Sequence, residues 1–359
     1  MSRLKNSFLF QTTIFFFILI SSWACKAQSR LLALSKTDQA LAIVDPVTLK
    51  VLGKVPVGID PHEVIASADG KTAYVSIYGG GRLHELDGID LLTMKSLTTI
   101  DTRPLFGPHG LTFVAGNLWF TAEGSKAVAR YDPANNKIEW CMGTGQDRTH
   151  MIYVSDDGKK IYTTNVASGT VSLLIDTPIT AGSPPPLMQP PISKKPGETR
   201  TMPPGGIPHE NWEQTIIPTA KGAEGFDVSP DGKELWTVSS DNGRIYIIDL
   251  QAKKVSSTID AKVFGANRLK FTPDGSKVFI SSLRSGALTI YNAQTRTEIK
   301  KLNIGHGAAG ILMDPDGSRV FVACTPDNYV AIISLKTLEV TGHLDVGGGP
   351  DGLAWAVQR

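Results

Sequence analysis

The chain has 359 residues, with 36 lysines and arginines against 34 aspartates and glutamates, and only 3 cysteines. A balance this close to neutral, with no basic stripe, excludes the usual nucleic-acid binder. Cys141 and Cys324 stand far apart with no CxxC, which excludes a zinc knuckle and gives no support to a disulfide framework.

In chain order, the first element is a targeting segment. MSRLKNSFLFQTTIFFFILISSWACKAQ starts basic (Arg3, Lys5), continues through an apolar run from Ile14 to Ile20, and ends in small residues. That layout predicts a signal peptide over residues 1–27, with an apolar core too short to span a bilayer. The competing reading makes Cys25 a lipid-modified first residue, which Ser22 and Trp23 fit poorly. Cleavage after Ala27 removes Arg3, Lys5 and Lys26 and no acid, leaving 33 basic against 34 acidic residues. The expectation is a periplasmic or secreted, near-neutral monomer with no transmembrane span after cleavage.

The next elements repeat. Apolar alternation, a tight turn and a second β-rich run occur as VIASADGKTAYVS from Val64, LTFVAGNLWFTA from Leu111 and MIYVSDDGKKIYTT from Met151. They return as FDVSPDGKELWTV from Phe226, LKFTPDGSKVFIS from Leu269 and ILMDPDGSRVFVA from Ile311. Alternating residues around Asp-Gly predict two antiparallel strands and a tight turn. A third strand such as GRIYIIDL and a fourth such as KVSSTI follow. Four strands in about 42 residues predict a β-propeller blade. Six hairpins are internal. A seventh blade combines the N-terminal LLALS, QALAIVD and KVLGKV with the C-terminal GLAWAV, which closes the ring. The fold class is therefore all-β, a seven-bladed propeller of four-stranded blades forming one domain over residues 28–359. A proline-rich insertion at about 177–213 interrupts the blade that begins at His150 and predicts an extended loop.

With words such as YVSI and YTTN (Tyr74–Ile77, Tyr162–Asn165), the repeat resembles the YVTN-type seven-bladed propellers over essentially the whole mature chain. That resemblance implies the fold and leaves function open, because the family includes surface-layer and periplasmic proteins without assigned activity. Wider propeller relatives include lactonases and the lyase that opens streptogramin antibiotics, which carries functional histidines on a propeller face.

Counting back seven residues from each turn aspartate gives one column, whose members encircle the channel of a propeller: His62, His109, His150, Glu224, Asn267, Ala309 and Asp351. Three successive blades thus place a histidine at one structural position. His306 lies in the entry loop of another blade. Loops leaving the second strands add Lys36, Tyr78, Glu123, Ser240, Arg284 and Thr325 on the same face, with Asn165 one step earlier. Three imidazoles and a carboxylate suit zinc, iron, manganese or copper, so His62, His109, His150 and Glu224 are the candidate metal ligands. Glu123 and Glu224 are candidate proton carriers and Arg284 an anion anchor. Tyr78, Asn165, Asn267, His306 and Asp351 complete the candidate ligand-binding set. A metal-free ligand cluster and plain channel lining stay open beside the metal site.

Two functions follow. One is a hydrolase or lyase acting on a small polar substrate such as a lactone or sugar acid. The other is a non-catalytic scaffold that binds a protein or glycan partner. His84, His209 and His343 fall off the ring, and neither a GxSxG elbow nor an HExxH helix is present.

Overall fold

The computed structural model describes residues 29–177 and 211–358. The predicted signal peptide, Cys25, His209 and most of the proline-rich insertion lie outside the described residues. No helix among the described residues is long and apolar enough to cross a membrane.

Seven antiparallel sheets form the expected seven-bladed propeller. The first blade pairs the C-terminal strand Pro350–Val357 with Ser29–Ser35, followed by Ala40–Val44 and Val51–Pro56, so the ring closes between the two ends as the sequence predicts. The other inner strands are Pro61–Ala66, Pro108–Val114, Thr149–Val154, Ala223–Val228, Ala266–Phe271 and Ala308–Met313. In the blade of His62 the outermost strand is broken into two short pieces, Lys95–Ser96 and Ile100–Asp101. The insertion joins the third strand of the fourth blade, Thr170–Asp176, to its outermost strand, Trp212–Pro218.

The turns follow from local chemistry. In ADGK and its copies the glycine has φ of 68–70° (Gly70, Gly158, Gly232, Gly275, Gly317), the left-handed region that a side chain disfavours. The aspartate before it accepts a backbone N–H across the turn, as Asp69 does from Lys71 and Asp231 from Lys233. The degenerate hairpin does without the aspartate. Ala115 and Gly116 both take positive φ, the signature of a two-residue hairpin turn.

Packing sits between blades. Second strands are buried along nearly their whole length, while outermost strands alternate between exposed and half-buried, as in Lys254–Ile259. Trp236 of one blade packs with Phe271, Val278 and Ile280 of the next, and the other interfaces repeat this theme. At the channel, adjacent inner strands approach so closely that a Cβ on Gly110 would lie 2.6 Å from the His150 carbonyl oxygen. One on Gly352 would lie 2.5 Å from that of His62. Hydroxyls then tie neighbours together: Thr121 donates to the His150 carbonyl at 2.6 Å, Thr164 to that of Glu224 at 2.7 Å and Ser281 to that of Ala309 at 2.7 Å. Backbone positions of the ring column are thereby held independently of the ring side chains themselves.

Candidate active site at the channel mouth

Two local devices aim the ring residues inward. Every inner strand carries a register shift against its partner that spans the ring position, for example between Pro61 and Val64 and between Thr149 and Ile152. A bulge re-aims the side chain it contains. Two residues before each ring position the backbone is left-handed, at Asp60, Gly107, Arg148, Gly222, Gly265, Gly307 and Gly349. The carbonyl of that residue accepts the N–H of the first residue after the second strand: Tyr78, Glu123, Val166, Ser240, Leu283, Thr325 and Lys36. Five of the seven left-handed positions are glycine. A non-glycine residue there costs about 1–2 kcal/mol, and the two exceptions, Asp60 and Arg148, flank His62 and His150.

The result is a cavity of about 260 Å³ lined by all seven ring residues. Lys36, Tyr78, Arg148, Arg268, Leu283 and Thr325 complete its wall.

On one side stands a tightly supported histidine pair. His150 Nδ1 and Glu123 Oε2 are 2.6 Å apart, and Glu123 Oε1 accepts from the Tyr78 hydroxyl at 2.6 Å and from Arg148 Nε at 2.9 Å. Burial alone would push the Glu123 carboxyl up, but His150, Tyr78 and Arg148 outweigh it and bring it down to about 2. Burial likewise disfavours a charged His150, yet hydrogen bonding to Glu123 and the nearby Glu224 raises it above the ordinary histidine value. His150 Nε2 lies 3.4 Å from Glu224 Oε1 without a hydrogen bond. The His109 ring sits 3.8 Å from that of His150, centroid to centroid. His109 is 1% exposed, its Nδ1 has no hydrogen-bond partner, and burial followed by the neighbouring His150 and His62 holds it well below the ordinary value. Asn267 donates to Glu224 Oε1 at 2.9 Å and leaves its own buried Oδ1 without a partner.

His109, Glu123 and His150 form a cluster that could hold a metal ion, with ligand atoms within 4.8 Å of one another. Ligand atoms about 2.0–2.2 Å from a tetrahedral ion are about 3.3–3.6 Å apart, which is the spacing of His150 Nε2 and Glu224 Oε1. The 2.6 Å contact between Glu123 and His150 Nδ1 is too short for two ligands of one ion. Glu123 therefore orients His150 from behind, the usual carboxylate partner of a ligating histidine.

Next to the histidine pair, with the His62 ring 4.8 Å from that of His109, the Lys36 ammonium meets Asp60 Oδ1 at 3.1 Å, Asp351 Oδ2 at 3.4 Å and the two ring nitrogens of His62 at 3.0 and 2.9 Å. Burial and then the adjacent ammonium lower His62 below the ordinary value. Below the ring, Arg268 of the sixth blade forms a buried ion pair with Glu63 of the second, reaching past the seventh and first blades.

The structure thus gathers His62, His109, His150, Glu224, Asn267, Asp351 and Tyr78 around one cavity, with Glu123 directly behind them. Three predicted residues lie elsewhere. Arg284 is exposed and off the cavity wall; the hydrogen bond from Leu283 to Gly265 shows that Leu283 holds the equivalent position. Asn165 is buried within its blade, bonded to Thr149, Thr170 and Ser172, because Val166 follows the strand end there. His306 projects into solvent and pairs with Asp327 at 2.9 Å. Arg148, Arg268, Asp60 and Glu63 are the cavity and support residues that sequence reasoning missed. Arg148 and Asp60 did carry a signal, as the two non-glycines at a glycine position of the repeat.

A family model described as the cytochrome D1 heme domain matches residues 197–341. No curated protein matches the chain. Among solved structures, Kuenenia stuttgartiensis hydrazine synthase is 14% identical with a TM-score of 0.64, covering 85% of this chain and 91% of that one. A protein of unknown function from Desulfotomaculum acetoxidans is 11% identical with a TM-score of 0.66, covering 89% and 98%. A Bacteroides fragilis protein provisionally designated a 6-phosphogluconolactonase is 14% identical with a TM-score of 0.68, covering 92% and 98%. At these identities the likeness shows the fold.

The cavity is too small to enclose a haem. Its 260 Å³ falls below the about 300–1,000 Å³ of pockets that enclose drug-sized ligands, and charged side chains crowd its wall. The segment matched by the haem-domain model brings Glu224, Asn267 and Ala309 to the channel, and its one described histidine, His306, is solvent-facing. The clustered histidines, His62, His109 and His150, lie outside the matched segment.

Proposed function

We propose that the chain is an exported, monomeric, YVTN-type propeller that acts as a metal-assisted hydrolase or lyase on a small polar substrate such as a lactone or sugar acid. One observation carries this reading. His150 is held by Glu123 at Nδ1 so that a buried, unpartnered Nε2 stands 3.4 Å from Glu224, and the His109 ring, whose buried Nδ1 is also unpartnered, lies 3.8 Å from the His150 ring. Leaving such atoms without partners costs about 1–3 kcal/mol each, which a bound ion offsets. His109, His150 and Glu224 would hold the ion, and zinc, iron or manganese suits that set. When bound, it supplies Lewis-acid polarisation of a carbonyl or carboxylate oxygen.

The remaining chemistry belongs to the chain. Glu123 keeps a proton on His150 Nδ1 and thereby directs the Nε2 lone pair to the cavity. Asn267 positions Glu224 and offers a free acceptor to a substrate hydroxyl. Arg148 and Arg268, in place of Arg284, supply the cations on the wall that a carboxylate or a developing oxyanion needs.

Metal analysis of protein purified without added metals or chelators tests this, followed by a lactone-hydrolysis and β-elimination screen. Near-stoichiometric metal, lost in His109→Ala, is the expected result. A cavity that contains no metal and takes up none on titration would sink the mechanism and favour the alternative, a scaffold for a protein or glycan partner.

A further inference from the structure

The His62 side of the cavity has the make-up of a second cation site, but a side chain already fills it. Asp60, Asp351 and His62 come from two blades and converge on one point, where the Lys36 ammonium makes all of its contacts at 2.9–3.4 Å. The two carboxylates neutralise the ammonium, and the His62 ring, whose Nδ1 also faces the Asp60 carbonyl oxygen at 3.2 Å, lies against it. An ion bonded to either His62 nitrogen at about 2.0–2.1 Å would lie within about 5 Å of that ammonium and be repelled by it. His109 and His150, by contrast, keep unpartnered nitrogens.

We propose that Lys36 takes the place of a second divalent cation, so that the channel mouth has one exchangeable ion position and one tethered ammonium, and His62 is not a metal ligand. The exchangeable position rests on the function proposed above; the role of Lys36 does not. Two features support it. Lys36 enters the ring at the position filled elsewhere by the uncharged Tyr78, Val166, Ser240, Leu283 and Thr325 or by Glu123. Asp60, which it holds, occupies a left-handed position with φ of 55° where five of the other blades use glycine, so its carboxylate is placed against a backbone preference.

The test is Zn²⁺ and Mn²⁺ stoichiometry by equilibrium dialysis on wild type, Lys36→Met and Lys36→Gln, and on Lys36→Met combined with His62→Ala. Removing the ammonium should add one equivalent relative to wild type, and adding His62→Ala should abolish that gain. No gain in Lys36→Met or Lys36→Gln, or a gain that survives His62→Ala, overturns the proposal. Should the substituted chains fail to fold, the wild type still decides. During Zn²⁺ titration the His62 ring nitrogens should keep their NMR shifts, and a ligation shift there overturns it. Wild type that takes up no metal would sink the proposed function alone, while the difference between Lys36→Met and wild type would still test this inference.

Discussion

Glu123 and His150 stand on adjacent blades yet share a 2.6 Å hydrogen bond that fixes which imidazole nitrogen faces the cavity. Both side chains are almost fully buried, so the pair acts as one unit in stability and in ligand binding.

The first expectation concerns pH. Glu123 is lowered to about 2 from 4.5, so its contribution to stability is present above 4.5 and fades as pH falls toward 2. His150 is raised above 6.5, so its contribution is complete below 6.5 and fades as pH rises through the raised value. Metal-free protein should therefore gain most from the pair between pH 4.5 and 6.5. Urea midpoints across pH should show this gain, and Glu123→Gln should flatten it with a loss of roughly 1–3 kcal/mol. An unchanged profile in Glu123→Gln would show that the pair does not form.

Metal affinity should separate ligand from support. His150→Ala should abolish binding, whereas Glu123→Gln should weaken it about 10–100-fold. Isothermal titration decides between them. Complete loss in Glu123→Gln with a folded protein would instead make that carboxylate a direct ligand.

Arg284 provides a control. Its exposed side chain is off the cavity wall, so Arg284→Ala should leave ligand binding unchanged and stability within about 0.5 kcal/mol. A marked loss of binding would contradict the placement of Leu283 at the cavity.

The cross-channel pair makes a larger demand. Glu63 and Arg268 are both largely buried, with side-chain exposures of 13% and 7%. Glu63→Gln strands a buried guanidinium and should cost about 3–5 kcal/mol, read as a fall in the denaturant midpoint. A shift under 1 kcal/mol would mean that water already reaches the pair.

Gly110→Ala tests the contact between blades. The added Cβ would meet the His150 carbonyl at 2.6 Å, so the third and fourth blades must part, at about 1–3 kcal/mol. Near-neutral thermal unfolding would show that the interface yields freely.

The blade count, ring closure and ring column were legible because each rests on a strong periodic mark. Asp-Gly sits at one fixed place in the repeat, and counting from it reaches the bulged residue in every blade that keeps the turn. The other end of the second strand has no such mark. Counting there slipped by one at Leu283 and Arg284, and it put Asn165 on the face when its side chain is inside the blade. The Glu63–Arg268 pair joins positions 205 residues apart in sequence, and no spacing rule reaches that far. The role of Glu123 was half legible: its position on the face followed from the repeat, but its turn toward His150 depends on a bulge in the next blade.

The pairing of Ser29–Ser35 with Pro350–Val357 also decides when the cavity is complete. Lys36 follows the first strand and Asp351 lies on the last, and the two meet only when that sheet is complete. In sequence the histidines of the second to fourth blades all precede the aspartate that completes the wall. A chain released early would carry every histidine of the cavity and still lack its final wall, so ligand binding at the channel mouth reports that the last strand has docked.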